Sequence, residues 1–167
     1  MRRTTSTTIP AALAGLIGLG TLLAADPAAS AQTPFEIVKG SWGGGGSLTL
    51  AEGKRENLSC NAYYTSSGGG HNLGVALRCA GQTSKFELRS HLQYDGGKVS
   101  GSWEERTFNA SGNTSGTLNP GSMRLNFHGG ISGNMSVSFS AASQSISIKI
   151  DTGGSAVAGV RISLRRR

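Results

Sequence analysis

Two cysteines are too few for a structural zinc or iron–sulfur centre. The three histidines, His71, His91 and His128, stand alone, with neither a CxxC nor an HxxxH spacing to support a metal. Catalytic signatures are equally scarce: GxSxG, SxxK and HExxH are all missing. The adjacent acids Glu104 and Glu105 face opposite sides of a strand and cannot form a close dyad. These absences argue against an enzyme and against a metal or organic cofactor. Long apolar runs are missing too, outside one place near the start of the chain.

That place is residues 9–25, IPAALAGLIGLGTLLAA, preceded by Arg2 and Arg3 and followed by Ala29-Ser30-Ala31. A basic start, an apolar middle and a small-residue end make an export signal, with cleavage before Gln32. The run is too short and glycine-rich for a good membrane span, so no span is expected once residues 1–31 are removed. Residues 32–167 then suit a single domain, placed in the periplasm or secreted and expected to be a monomer. The formal net charge is +7, with Arg165, Arg166 and Arg167 at the end and the other cations scattered. Scattered positive charge gives mild attraction to anionic envelope components. Export argues against nucleic acid as a partner.

The cysteines sit symmetrically in LSCNAYYTSSGGGHNLGVALRC, residues 58–79. Cys60 and Cys79 are equidistant from the point between Gly69 and Gly70. If the glycine run turns the chain, the two face each other across an antiparallel pair. The same register sets Ala62 against Leu77 and Tyr64 against Val75, so both apolar faces agree. An oxidising compartment makes a disulfide the expected state of Cys60 and Cys79.

Beyond residue 36 the period is two. Phe86, Leu88, Leu92 and Tyr94 alternate with polar residues. So do Val99, Gly101 and Trp103, then Met123, Leu125 and Phe127, then Met135, Val137 and Phe139, then Ile146, Ile148 and Ile150, and finally Val160, Ile162 and Leu164. Turn residues separate these runs. Pairing across the turns sets Arg78 against Glu87, Glu87 against Arg106, and Arg89 against Glu104, all on the outward face. The fold class is therefore all-β: an antiparallel up-and-down meander of nine or ten strands. Closure into a barrel, round or flattened, removes the exposed edges, and a two-sheet sandwich is the alternative. A membrane barrel needs an apolar outer face with aromatic girdles, whereas this outer face is Ser, Asn, Lys, Glu and Arg and only 6% of residues are aromatic.

Gly40-Ser41-Trp42 opens the first strand and Gly101-Ser102-Trp103 recurs later. The first resembles the Gly-x-Trp opening of lipocalins and other calycins, whose Trp closes one barrel end; the second resembles avidin strand starts. Lipocalins also carry an Arg from the last strand over that Trp and a helix after the barrel. In this chain Arg161 points outward and no helix is expected to follow. The resemblance implies a fold and not a ligand. A wider resemblance is to small secreted β-proteins of alphaproteobacteria, the rhizobial group especially. It rests on GSWGGGGSLTL, GKRENLSCNAYY, LRCA, QSISI and the terminal SLRR, and implies a bacterial envelope setting.

The register is expected to place Trp42 beside Tyr64 and Trp103 beside Leu118, all facing in, with Glu105 and Thr107 continuing that face to one rim. Small residues lie among them: Gly44, Gly46, Ala62, Ser90, Gly101 and Gly116. Such residues either let strands bend and pack shut, as in most small barrels, or leave an aromatic-walled cavity for an apolar ligand. The carrier reading makes Trp42, Tyr64, Trp103 and Glu105 the ligand-binding residues. The alternative is an envelope interaction protein, such as a hydrolase inhibitor or a binder of anionic polymers. Its working part would be QTPFEIVKG or a hairpin tip, and residues 32–38 would be removable without loss of fold.

Overall fold

The computed structural model describes residues 34–151, 153 and 155–167; the export segment read at 1–31 and its cleavage point lie outside the described residues. Ten strands form: β1 (Gly40–Leu50), β2 (Arg55–Ser67), β3 (Asn72–Ala80), β4 (Lys85–Asp95), β5 (Lys98–Glu105), β6 (Ala110–Asn119), β7 (Ser122–Gly129), β8 (Gly133–Phe139), β9 (Ser143–Ile150) and β10 (Val157–Arg166). Each pairs antiparallel with its sequence neighbours, and β1 pairs with β10, so the meander closes into a barrel. The sandwich alternative is thereby excluded. Closure leaves none of the described strands with a free edge, which disposes of the hazard that open edges present.

The apolar half of each alternating pattern points inward. Ile162 and Leu164 of β10 and Val99 of β5 are almost wholly buried, and their outward neighbours Arg161, Ser163 and Lys98 are exposed. Glycine shapes the wall where strands approach most closely. A Cβ at Gly46 would collide with the Arg161 carbonyl oxygen on β10, so β1 lies against β10 only because that side chain is missing.

The hairpin β2–β3 has the expected register: Cys60 opposes Cys79, Ala62 opposes Leu77 and Tyr64 opposes Val75. The cysteine Cα atoms are 4.2 Å apart, the short spacing of a non-hydrogen-bonded pair, and the two are joined in a disulfide. Both cysteines are buried. Closing a loop of 19 residues restricts the unfolded chain, so replacing both cysteines by alanine should cost about 3 kcal/mol in urea unfolding.

Outward charges follow the anticipated pairing. Arg78, Arg89 and Arg106 all reach Glu87, at 3.2, 3.0 and 3.2 Å, and hold its carboxyl below the ordinary value. Because the arginine side chains are substantially open to solvent, these pairs contribute little to stability. Glu56 has a more specific role. Its carboxylate accepts N–H bonds from Thr83 and Ser84 and the Thr83 hydroxyl, pinning the β3–β4 turn. Hydrogen bonds from Ser84 and Thr83 lower its pKa to about 2. A carboxyl whose folded pKa is depressed stabilises the fold above its unfolded value, and that contribution fades as pH falls toward 2. Glu56→Gln should therefore show a shallower loss of urea midpoint between about pH 5 and pH 2 than the unmodified protein.

One hairpin differs from expectation. Trp103 opposes Gly112, not Leu118, which pairs instead with Met123. The β5–β6 chain reverses early, at residues 106–109. The Glu105 carboxylate accepts the N–H groups of Thr107 and Phe108, and Asn109 adopts φ 53°, a left-handed conformation that asparagine tolerates. Thr107 consequently lies in the exposed turn and does not continue the inward face.

The barrel end at the start of β1 is shut by the segment before it. Phe35 and Val38 are buried, a short 3-10 helix spans Glu36–Val38, and the Trp42 indole donates to the Val38 carbonyl at 2.7 Å. Phe35 packs edge-on against Tyr94 of β4. The described part of QTPFEIVKG is thus a plug and not a removable arm, because its loss would uncover Trp42 and the inner ends of the strands.

The last strand supplies a second correction. Arg161 does point outward, but the alternation Val160, Ile162, Leu164 continues to Arg166, whose guanidinium lies 4.5 Å from the Trp42 ring centroid. It donates to the carbonyls of Ala141, Lys39 and Ile37, tying the plug to the β8–β9 turn. An arginine from the final strand thus covers the Trp of the Gly-x-Trp opening, as in lipocalins, and it is Arg166 and not Arg161.

Candidate functional site

Inside the barrel, several inward apolar side chains are only half-buried: Val75, Phe86, Leu88, Met135, Ile148 and Ile150. A closed interior would bury them fully. They border a cavity of about 500 Å³, well within the range of small-molecule sites. The small residues on the inward face therefore coexist with open space; the barrel is not packed shut.

The plug and the strand ends next to it form the floor. Phe35, Val38, Tyr64 and Gln144 line this end, and at the other end the lining includes Phe108, Asn109 and Ile131, in the loops between strands. Phe108 is 68% exposed. A large apolar ring at the rim of an apolar space extends the lining toward solvent.

Of the residues singled out from sequence, Tyr64, Trp103 and Glu105 line the cavity and Trp42 does not. Trp42 lies beneath it, its ring 6.4 Å from that of Tyr64, shaping the floor from below. Trp103, near the far end of β5, packs edge-on against Phe127 of β7 at 5.8 Å. The Glu105 carboxylate is engaged with three backbone N–H groups, those of Glu87, Thr107 and Phe108, at 2.8, 3.1 and 2.6 Å. It thus orders the turn that carries Phe108 to the rim.

Polar atoms in the lining are few. The Ser90 hydroxyl donates to the Ser102 carbonyl and the Thr114 hydroxyl to the Asn126 carbonyl. The Tyr64 hydroxyl donates to the Gln144 amide oxygen at 3.2 Å. Burial raises the Tyr64 pKa further above its ordinary value, so the phenol stays neutral and keeps its proton. Two buried donors on lining residues have no partner among the described residues: the Gln144 amide nitrogen and the Trp103 indole nitrogen. No Lys, Arg or His is among the described residues lining the cavity.

Gln144 escaped the sequence reading, although its signal was there. It precedes Ile146, Ile148 and Ile150 by the same step of two, which places a polar side chain on the inward face. Its partnership with Tyr64, 80 residues away, comes only from barrel closure.

Two solved structures share this architecture. Rv2717c from M. tuberculosis superposes with a TM-score of 0.65 at 13% identity, over 78% of this chain and 93% of that one. The S-type phycobiliprotein lyase CPES from Guillardia theta gives a TM-score of 0.54 at 13% identity, over 80% of this chain and 89% of that one. No protein-family model and no curated protein matches the sequence. At such identities the likeness is one of fold alone: the chain is similar to these proteins in its overall architecture, here a closed antiparallel β-barrel.

Proposed function

We propose that this protein is an exported, non-enzymatic carrier that takes a small, largely apolar molecule into its barrel. The observation that carries this reading is the half-exposed state of inward Val75, Phe86, Leu88, Met135, Ile148 and Ile150 around a cavity of about 500 Å³. A ligand would remove both its own apolar surface and theirs from water, gaining roughly 25 cal/mol per Å² before the costs of association. The floor of Phe35, Val38 and Tyr64 would set how deep it goes, and Phe108 would line its entry.

Export accords with the N-terminal signal pattern and with the Cys60–Cys79 disulfide, a bond typical of oxidising compartments. A binding role accords with the lining's chemistry: the hydroxyls of Ser90, Thr114 and Ser155 all donate to backbone carbonyls, and that of Tyr64 to Gln144. The interaction-protein reading has less support, because Phe35 and Val38 of its proposed working segment are buried.

Native mass spectrometry of protein purified from its own host tests the proposal. A retained extra mass that leaves on extraction with organic solvent is the expected result. Protein that shows only its own mass, and that also fails to enhance the fluorescence of the hydrocarbon diphenylhexatriene, would end the carrier reading.

A further inference from the structure

We propose that the bound molecule carries a neutral hydrogen-bond acceptor, the carbonyl of a ketone, ester or amide, and that it enters with this group leading, to be received by the side-chain amide of Gln144. This inference rests on the carrier reading and adds the chemistry and direction of the ligand.

Three buried side-chain polar atoms lack a partner among the described residues, and two of them, Gln144 Nε2 and Trp103 Nε1, belong to residues that line the cavity; the third, Ser66 Oγ, does not. Gln144 is 5% exposed and Trp103 8%. Both open atoms are donors. Buried N–H groups without acceptors are rare in folded proteins, rarer than under-used oxygens. The orientation of the Gln144 amide does not alter the count. With Tyr64 donating to Oε1, both amide protons are left over. With the amide turned round, Nε2 donates to the phenol oxygen, and one amide proton and the phenol proton are left over. In either case two donors of this pair lack an acceptor, on residues that line the cavity floor.

The acceptor that meets them is neutral. A carboxylate taken from water into an apolar space requires a cation or several donors. No Lys, Arg or His is among the described lining residues. A cationic ligand is equally disfavoured: Glu105, the only carboxylate among the described lining residues, already accepts three backbone N–H groups. A carbonyl satisfies the amide of Gln144 without bringing charge. The Trp103 indole, nearer the mouth, offers a second donor to an oxygen further along the ligand.

The direction of entry follows from the distribution of polarity. Gln144 stands near the start of β9 beside the plugged end, opposite Leu164 and Phe139, whereas the lining at the other end combines apolar Phe108 and Ile131 with Asn109 and Ser155, neither of which has a buried side-chain atom left unpartnered. A molecule with one carbonyl and an apolar body therefore places its carbonyl on the floor and its body along Val75, Leu88, Met135 and Ile148.

Two fluorescent probes of similar size test this in the oxidised protein: prodan, a neutral aryl ketone, and diphenylhexatriene, a hydrocarbon. Prodan should bind, and Gln144→Leu should lower the ratio of prodan to diphenylhexatriene affinity about tenfold, the effect of one hydrogen bond. The infrared carbonyl stretch of bound prodan should fall to lower wavenumber in the unmodified protein. In competition, 2-dodecanone should displace prodan at lower concentration than dodecanoate does at about pH 8, where the acid is ionised. An unchanged affinity ratio in Gln144→Leu, an unshifted carbonyl stretch, or stronger displacement by dodecanoate would overturn the inference while leaving the carrier reading standing. If Gln144→Leu does not fold, the carbonyl stretch and the competition decide alone. Failure of both probes to bind would remove the carrier reading and this inference with it.

Discussion

Val75→Trp should reduce affinity for diphenylhexatriene by a hundredfold or more, on the order of 3 kcal/mol, without loss of stability. Val75 lies mid-strand on β3, opposite Tyr64 on one side and Ser90 on the other, and its side chain points inward yet is only half-buried. An indole placed there would fill space that an apolar ligand needs. Overpacking a filled core costs about 1–3 kcal/mol, whereas filling an existing void does not. Two measurements separate the cases. If the interior is open, the variant binds poorly and unfolds at the same urea concentration or higher. If the interior is filled, the variant unfolds earlier and binding was never present to lose.

Trp42→Ala should have the largest effect on stability, a loss of about 4 kcal/mol in urea unfolding. Trp42 is 1% exposed and holds three parts of the closed end together. Its indole N–H binds the Val38 carbonyl, its ring supports Tyr64 above, and its face receives the Arg166 guanidinium. Removing the side chain leaves a cavity, an unpaired carbonyl and a guanidinium without its aromatic partner. Trp42→Phe keeps most of the packing and should cost nearer 1–2 kcal/mol, since it chiefly loses the hydrogen bond. A Trp42→Ala loss below about 1 kcal/mol would mean that the plug contributes little to the barrel.

Local patterning made most of the fold legible. Period-two alternation from β1 to β10 marks the inward face without any knowledge of partners. The symmetric placement of Cys60 and Cys79 about a glycine turn fixes one register, and the charge pairing of Arg78, Glu87, Arg89 and Arg106 confirms the next two. Errors arose where a side chain, not a turn dipeptide, decides the geometry. The β5–β6 reversal depends on the Glu105 carboxylate gathering backbone N–H groups and on Asn109 accepting a left-handed backbone, neither of which has a strong sequence signature.

The site was legible in part, and for the same reason. Tyr64 and Trp103 were found because aromatic residues on an inward face stand out. Arg166 was read as part of a basic tail, although it continues the step from Leu164 by two. Gln144 was passed over as the polar start of a strand. Both are polar residues in apolar register, and both take their meaning from closure: Arg166 from Trp42 at the far end of the chain, Gln144 from Tyr64. Strand alternation assigns a side to every residue, but it does not say which strand lies across the lumen.

The central claim is that the barrel interior holds space for an apolar molecule above a closed floor. A crystal structure of the oxidised protein grown with diphenylhexatriene tests it most directly. The account predicts one rod of density between Val75, Leu88, Met135 and Ile148, ending above Tyr64 and Gln144. Side chains of opposite walls found in mutual contact, with no room between Val75 and Ile148, would contradict it.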